Sequence, residues 1–252
     1  MAEPEIAAPL IAELSRSLLA LETRLQHLRQ RRMSYLAMMS HELRTPLNAI
    51  NGFSNLLAQG FRLPLAHHTD IEVIAKNAQA LLKIVNDILD LAKLDAGKMQ
   101  LVLKQVSVAD ILAALRGQWA RASEMGPRFD IKATDNVWML ADEQRVLQIL
   151  NELLDNAFTF TDQGSVCVSV SHDDEFVWFN VQDTGIGIDK KNLLRVFQRF
   201  QQVDAGTTRR HGAGLGLALS KDLVKLMGGQ LWMESYPGQG TTVHVSFRRA
   251  GV

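Results

Sequence analysis

Three stretches of this 252-residue chain carry residue types that suit a phosphorylated ligand. "DTGIGID" (Asp183 to Asp189) follows a strand-like run. Its glycines, Gly185 and Gly187, free the backbone to turn tightly and let a ligand approach closely. Asp183 can accept a hydrogen bond from an amino group such as that of adenine. "HGAGLGLAL" (His211 to Leu219) leads directly into a helical pattern. Gly212, Gly214 and Gly216, with the helix N-terminus, form an anion site, because free backbone N–H groups and the helix dipole both favour phosphate. Arg209, Arg210 and His211 add positive charge just upstream. The third stretch, "NELLDNAFTFT", sets Glu152 and Asn156 one turn apart on one helix face. Oxygen ligands at that spacing could hold Mg²⁺ against a triphosphate. Each feature also has a plainer reading: a tight turn at either glycine motif, and a cap or helix-end bridge at Asn156. No Gly-Lys-Ser/Thr occurs, so the Walker pattern is absent.

A fourth stretch raises a different question. "SHELRTPLN" (Ser40 to Asn48) lies in an otherwise helical run, yet it holds Pro46 beside His41, Glu42, Arg44 and Thr45. A proline inside a helix costs roughly 3 kcal/mol, through a lost hydrogen bond and a clash with the carbonyl four residues back. That carbonyl is Glu42's, so Pro46 reads as a bending point at the polar turn. Thr45 shares a helix face with His41, whereas the adjacent Glu42 must curl along the surface to reach it.

These groups need elements to hold them. Ile11, Leu14, Leu18, Leu21, Leu25 and Leu28 alternate by three and four, the spacing of a coiled coil over residues 1–32. The pattern continues through Arg32, a polar core position, to Tyr35 and Met39. "GFRLPLAHH" (Gly60 to His68) breaks it, and a second helix is expected from about Thr69 to Ala96, with Gly97 as C-cap. Residues 33–98 thus read as a helical hairpin, and two hairpins side by side make a four-helix bundle, so a homodimer is expected. From residue 99 to 252 short strands alternate with helices. Strands are expected in "MQLVLKQVSV", at Phe129–Lys132 and Val137–Leu140, on both sides of the His172–Glu175 turn, and in "GQLWMESY" and "TTVHVSF". Helices are expected in "ADILAALRGQWARAS", "ADEQRVLQILNELLDNAFTF" and near Leu215–Met227. This order predicts an α/β sandwich with helices on one face of a mostly antiparallel sheet.

Composition limits the function classes. With 27 basic and 27 acidic residues, nothing pulls the chain toward nucleic acid or an anionic membrane. No stretch reaches the roughly 18 apolar residues of a membrane span. The N-terminus lacks a signal-peptide pattern, and the single cysteine, Cys167, cannot form an internal disulfide. A soluble, cytoplasmic chain is expected.

The order of the motifs adds what none carries alone. A helical Glu/Asn pair, then Asp-x-Gly-x-Gly, then "VFQRF", then Gly-x-Gly-x-Gly resembles the Bergerat ATP-binding fold of DNA gyrase, heat-shock chaperone ATPases, MutL proteins and histidine kinases. With "SHELRTPL" upstream, residues 33 to 250 resemble a sensor histidine kinase of two-component signalling. The resemblance implies ATP and Mg²⁺ as cofactors, and His41 as phosphoacceptor with Glu42 as its acid/base partner. It implies that Thr45 orients water in a reverse, phosphatase reaction. Asn156 would bind Mg²⁺, with Glu152 beside it, and Asp183 would read adenine. Gly185 and Gly187 would line the base pocket, and Gly212, Gly214, Gly216 and Leu217 would lie along the triphosphate. Phe197 and Phe200 would anchor a lid, and Arg199 would reach the phosphates. It further implies a response regulator receiver domain as acceptor, an upstream sensor domain or partner as input, and a hinge at Leu94–Leu103. Two positions depart from the family pattern. Asparagine is common where Glu152 stands, and that glutamate resembles the water-activating residue of the gyrase and chaperone branch. A basic residue is common where Thr159 stands, so one phosphate contact is expected to be missing.

Overall fold

The computed structural model describes residues 23, 43–54, 66–120, 126–132, 137–201 and 214–251. The expected coiled coil (apart from Thr23), His41, Glu42, residues 60–65 of the break expected from Gly60 to His68, and the run from Arg209 to Gly212 lie outside the described residues, and the last three residues of that break, Ala66 to His68, are helical. The chain divides into two compact units, Met1–Leu82 and Lys83–Val252.

In the first unit, residues 43–54 form helix α1, which runs on through the buried Pro46. Helix α2, Ala66–Asp95, contains no glycine or proline. It stops where the sequence predicts. Gly97 takes a φ of +64°, its N–H donates to the Leu94 carbonyl, and the Lys98 N–H donates to the Lys93 carbonyl. This paired closure satisfies helix-end carbonyls and needs a residue at ease in the left-handed region.

The second unit begins inside α2, at Lys83. Two side chains tie the last turns of α2 to this unit. Leu91 is buried in the apolar core of this unit. Asp90 accepts both guanidinium nitrogens of Arg145, at 2.5 and 3.1 Å. The last turns of α2 are therefore packed like a core element, which helical periodicity alone does not reveal.

Strands β1 (Lys104–Ser107) and β3 (Trp138–Ala141) form an antiparallel pair. The expected strand from Met99 is shorter than its apolar residues suggest, because Val102 donates its N–H to the Asp142 carboxylate, 3.0 Å away, rather than to a ladder. The main sheet has the order β2-β4-β5-β7-β6. Its strands are β2 (Arg128–Lys132), β4 (Ser165–His172), β5 (Phe176–Asp183), β6 (Leu231–Tyr236) and β7 (Gly240–Arg248). Only β2 with β4 is parallel; the other pairings are antiparallel. Alternation decides which face is covered. Val166, Val168 and Val170, then Val177, Phe179 and Val181, then Val243, Val245 and Phe247 all point inward. Helices α3 (Val108–Trp119), α4 (Glu143–Phe160) and α5 (Gly216–Leu226) complete the unit.

Helix α4 is the keystone of the site. Asp142 caps it, accepting from the N–H groups of Gln144 and Arg145. Such a cap satisfies orphan donors and contributes about 1 kcal/mol. Val146, Ile149, Leu150, Leu153, Leu154 and Ala157 form its buried stripe. The opposite constraint follows: Glu152, Asp155 and Asn156 are displayed away from that stripe's centre.

Candidate nucleotide site

Asp183 ends β5 and is buried. Its Oδ1 accepts the Gly185 N–H at 2.8 Å and the Thr241 N–H at 3.2 Å. Burial pushes this carboxyl up from the ordinary range, while the two backbone donors pull the other way. Both bonds go to one oxygen, so the carboxylate is held at a fixed angle with its second oxygen outside these bonds. That geometry suits reading a hydrogen-bond donor on a base.

The glycines after Asp183 are required by the protein itself. Gly187 has a φ of +66°, and the Tyr236 carbonyl stands where a Cβ would be. A Cβ on Gly185 would meet the Phe160 carbonyl and would stand 2.9 Å from Thr161 Oγ1. Close packing against these backbone carbonyls requires glycine at both positions. Thr161 is buried, and its hydroxyl has no hydrogen-bond partner among the described residues. A buried hydroxyl left unpaired costs free energy. Thr161 stands beside the Asp183 turn, its Oγ1 2.9 Å from where a Cβ on Gly185 would be. Sequence reasoning missed it, since "FTFT" reads simply as the end of a helix.

Asn156 lies on α4 and donates its amide N–H to the Glu152 carbonyl at 2.9 Å, with a longer approach to Glu152 Oε1 at 3.4 Å. Its amide oxygen is outside these bonds. Among the described residues no group of three or more His, Cys, Asp or Glu side chains could hold a metal ion. Mg²⁺ is commonly bound by one or two protein oxygens together with substrate phosphates and waters. The Asn156 amide oxygen and the Glu152 carboxylate fit that donor set.

Glu152 already has a cation. Lys83 Nζ lies 2.8 Å from Glu152 Oε2 and 3.0 Å from Asp155 Oδ2. The two carboxylates outweigh the effect of burial and hold the ammonium charged. The Glu152 carboxylate also packs against Gly216, leaving no room for a Cβ there. Gly216 opens α5, whose N-terminus has no side-chain cap and no acidic residue in its first turn. Unpaired N–H groups at such an end favour an anion. Nothing near Glu152 in sequence points to Lys83, which lies on another helix.

The remaining expected residues take these places. Gly214 has a φ of +64°, and its carbonyl accepts the Phe200 N–H at 2.8 Å. Phe200 itself has a φ of +64°, an uncommon conformation for a side chain of its bulk. Phe197, Phe200 and Leu217 pack against the core, and the Lys221 ammonium stands 4.9 Å over the Phe197 ring. Arg199 donates to Asp95 at 2.8 Å and Asp222 at 2.9 Å, so its guanidinium is committed to carboxylates in this arrangement. Thr45 is exposed on α1. The structure therefore brings Glu152, Asn156 and Gly216 together, and places Arg199 in a separate ion-pair group.

Comparison with known proteins adds to this geometry. Residues 31–97 match the His Kinase A (phospho-acceptor) domain. Residues 141–251 match the Histidine kinase-, DNA gyrase B-, and HSP90-like ATPase family. The Non-motile and phage-resistance protein of Caulobacter vibrioides is 40% identical over 243 residues, covering 92% of this chain and 29% of that protein. The circadian input-output histidine kinase CikA of Synechococcus elongatus is 40% identical over 219 residues, covering 84% of this chain and 29% of that protein. The signal transduction histidine-protein kinase BarA of Escherichia coli is 37% identical, covering 82% of this chain and 24% of that protein. The chain thus spans less than a third of the length of these relatives. Among solved structures, full-length ShkA in complex with AMPPNP superposes with a TM-score of 0.65 at 33% identity, covering 87% of this chain and 47% of that one. The histidine kinase ThkA in complex with the response regulator protein TrrA gives a TM-score of 0.66 at 20% identity, covering 88% and 64%, a likeness of fold.

Proposed function

The chain belongs to the sensor histidine kinases, and on that footing we propose that it uses ATP to phosphorylate His41 and passes the phosphoryl group to an aspartate of a response regulator receiver domain. The observation that carries this reading is the pairing, in one chain, of a phosphoacceptor domain containing His41 with an ATPase domain. Within that domain the buried Asp183, Asn156 and the uncapped start of α5 present a base-reading acid, a metal-binding amide and a phosphate-binding helix end.

The chemistry follows from the residues. A neutral imidazole is the nucleophile, and with an ordinary pKa of roughly 6.5 it is mostly neutral near pH 7. One ring nitrogen bonds to the γ-phosphorus as the bond to the β–γ bridging oxygen breaks, and ADP leaves. Positive charge develops on the ring, and a carboxylate at the other N–H stabilises it and selects the tautomer; Glu42 takes this role. Asn156 and Glu152 would hold Mg²⁺, which would supply charge neutralisation to the phosphate oxygens. The protein's share is then chiefly positioning and electrostatics. Thr45 serves the reverse reaction, orienting water toward the partner's phospho-aspartate. The working form is a cytoplasmic homodimer, with α2 contributing to a four-helix bundle. Input comes from a sensor domain or partner through the coiled coil that the sequence leads one to expect over residues 1–32.

The test is incubation with γ-labelled ATP. The expected result is acid-labile, alkali-stable label on the protein, lost in His41→Gln. Nucleotide binding without any protein label would overturn the reading, and released phosphate without label would assign the chain to plain ATP hydrolysis instead.

A further inference from the structure

The cation that Glu152 holds in this structure comes from α2. Lys83 Nζ bridges Glu152 and Asp155 at 2.8 and 3.0 Å. The Glu152 side chain is only 16% exposed, so it has little freedom to turn to another partner. Its Oε1 packs against Gly216 and receives the Asn156 amide, while Oε2 faces Lys83. Mg²⁺ takes oxygen ligands at roughly 2.0–2.1 Å in a near-octahedral shell. A carboxylate confined in this way cannot give both an ammonium and a hydrated divalent ion their best geometry, and two cations at one carboxylate repel.

We propose that Lys83 is a tethered counter-cation that competes with Mg²⁺ for Glu152, so that loading of Mg·ATP loosens the 83–95 stretch of α2 from α4. This rests on the reading of Asn156 and Glu152 as the metal-binding pair. The lysine neutralises the acidic site while it is empty of nucleotide and is displaced when the metal arrives. Loading is thereby linked to how firmly α2 is held. The linkage is reciprocal: whatever Mg·ATP subtracts from the Lys83 contact, the Lys83 contact subtracts from Mg·ATP affinity. The contact is not the sole hold on α2, because Asp90 remains paired with Arg145. Loosening therefore means weakened protection along 83–95 rather than complete release.

The test compares wild type, Lys83→Met, Lys83→Gln and Lys83→Arg in the full chain. Equilibrium binding of a fluorescent ATP analogue is measured with Mg²⁺ and with EDTA, and hydrogen exchange is followed at the amides of 83–95. Lys83→Gln preserves most of the side chain's packing and covers the case in which Lys83→Met folds poorly. The expected result is tighter Mg²⁺-dependent binding, on the order of fivefold, in both neutral variants. Lys83→Arg stays near wild type, and EDTA-condition binding is unchanged. Mg·ATP should speed exchange at 83–95 in wild type, and the neutral variants should already exchange faster without nucleotide. Unchanged Mg·ATP affinity in folded Lys83→Gln overturns the proposal. So does weaker binding in both conditions, which would make Lys83 a phosphate contact. Asn156→Ala separates the two levels. Loss of the Mg²⁺-dependent increment in this variant supports the metal-site reading whatever Lys83 does. An intact increment overturns that reading.

Discussion

Asp183 and Thr161 make opposite contributions at the residue scale. Asp183 is fully used by the protein at one oxygen, and asparagine can still accept the Gly185 and Thr241 N–H groups there. Asp183→Asn is therefore expected to keep the fold but to weaken ATP binding by about tenfold or more, the value of a hydrogen bond to a charged acceptor. Isothermal titration against ATP and GTP checks it; equal loss for both nucleotides would argue against base reading. Thr161 brings a buried hydroxyl with no hydrogen-bond partner among the described residues. Replacing such a group by an isostere without it is close to neutral or stabilising. Thr161→Val should leave Tm unchanged or raised while lowering nucleotide affinity severalfold. A marked fall in Tm would mean that the hydroxyl has a structural partner.

The element that matters most is the last part of α2, where acidic residues crowd against α4. Asp87 is pushed up to about 6, by burial first and by the charge of Glu152 next, against the opposing pull of Lys83. In the unfolded chain its ordinary value is 3.8. Between these values the folded state binds more protons, so this group's contribution to stability falls as pH rises from about 4 to 6 and stays unfavourable above. Asp87→Asn should raise Tm at pH 7.5, leave it nearly unchanged at pH 4 and flatten the slope between. Thermal melts across that range test this. The Asp90–Arg145 pair in the same element is mostly buried, at 10% and 22% side-chain exposure. Removing one partner from a fully buried pair costs about 3–5 kcal/mol. Asp90→Ala should cost somewhat less, about 2–3 kcal/mol in a denaturant titration, because Arg145 keeps its bond to Gln148.

For the whole molecule, the surface that matters is the exposed apolar stripe of α2. Ile71, Leu82 and Leu89 fall on recurring turns of the helix and are 56%, 61% and 52% exposed. An apolar stripe of that spacing is the seam of a helical bundle, and a second copy supplies its partner in the proposed dimer. Leu82→Glu should convert dimer to monomer in sedimentation experiments while leaving nucleotide binding intact. A dimer that survives this change would place the seam elsewhere.

How much of this was legible beforehand depends on the range of the interaction. The order of helices and strands, the α4 stripe, the Gly97 stop and the candidate residues Asn156 and Asp183 all follow from short-range patterns. Periodicity, capping and turn chemistry act within one or two turns of chain, so the residues that decide them are neighbours in the sequence. The ligand roles assigned to Gly185 and Gly187 could not be separated from packing roles, because the carbonyls of Phe160 and Tyr236 that exclude a side chain come from distant segments. The same holds for Arg199, whose carboxylate partners are Asp95 and Asp222. It holds also for the last turns of α2, where Leu91 and Asp90 meet a core formed later in the chain. By itself, the sequence determined which elements form and which chemistry they carry. Only the tertiary structure decided that Glu152 faces Lys83 and Gly216, because charge pairing and steric exclusion depend on distance in space, and no local pattern encodes it.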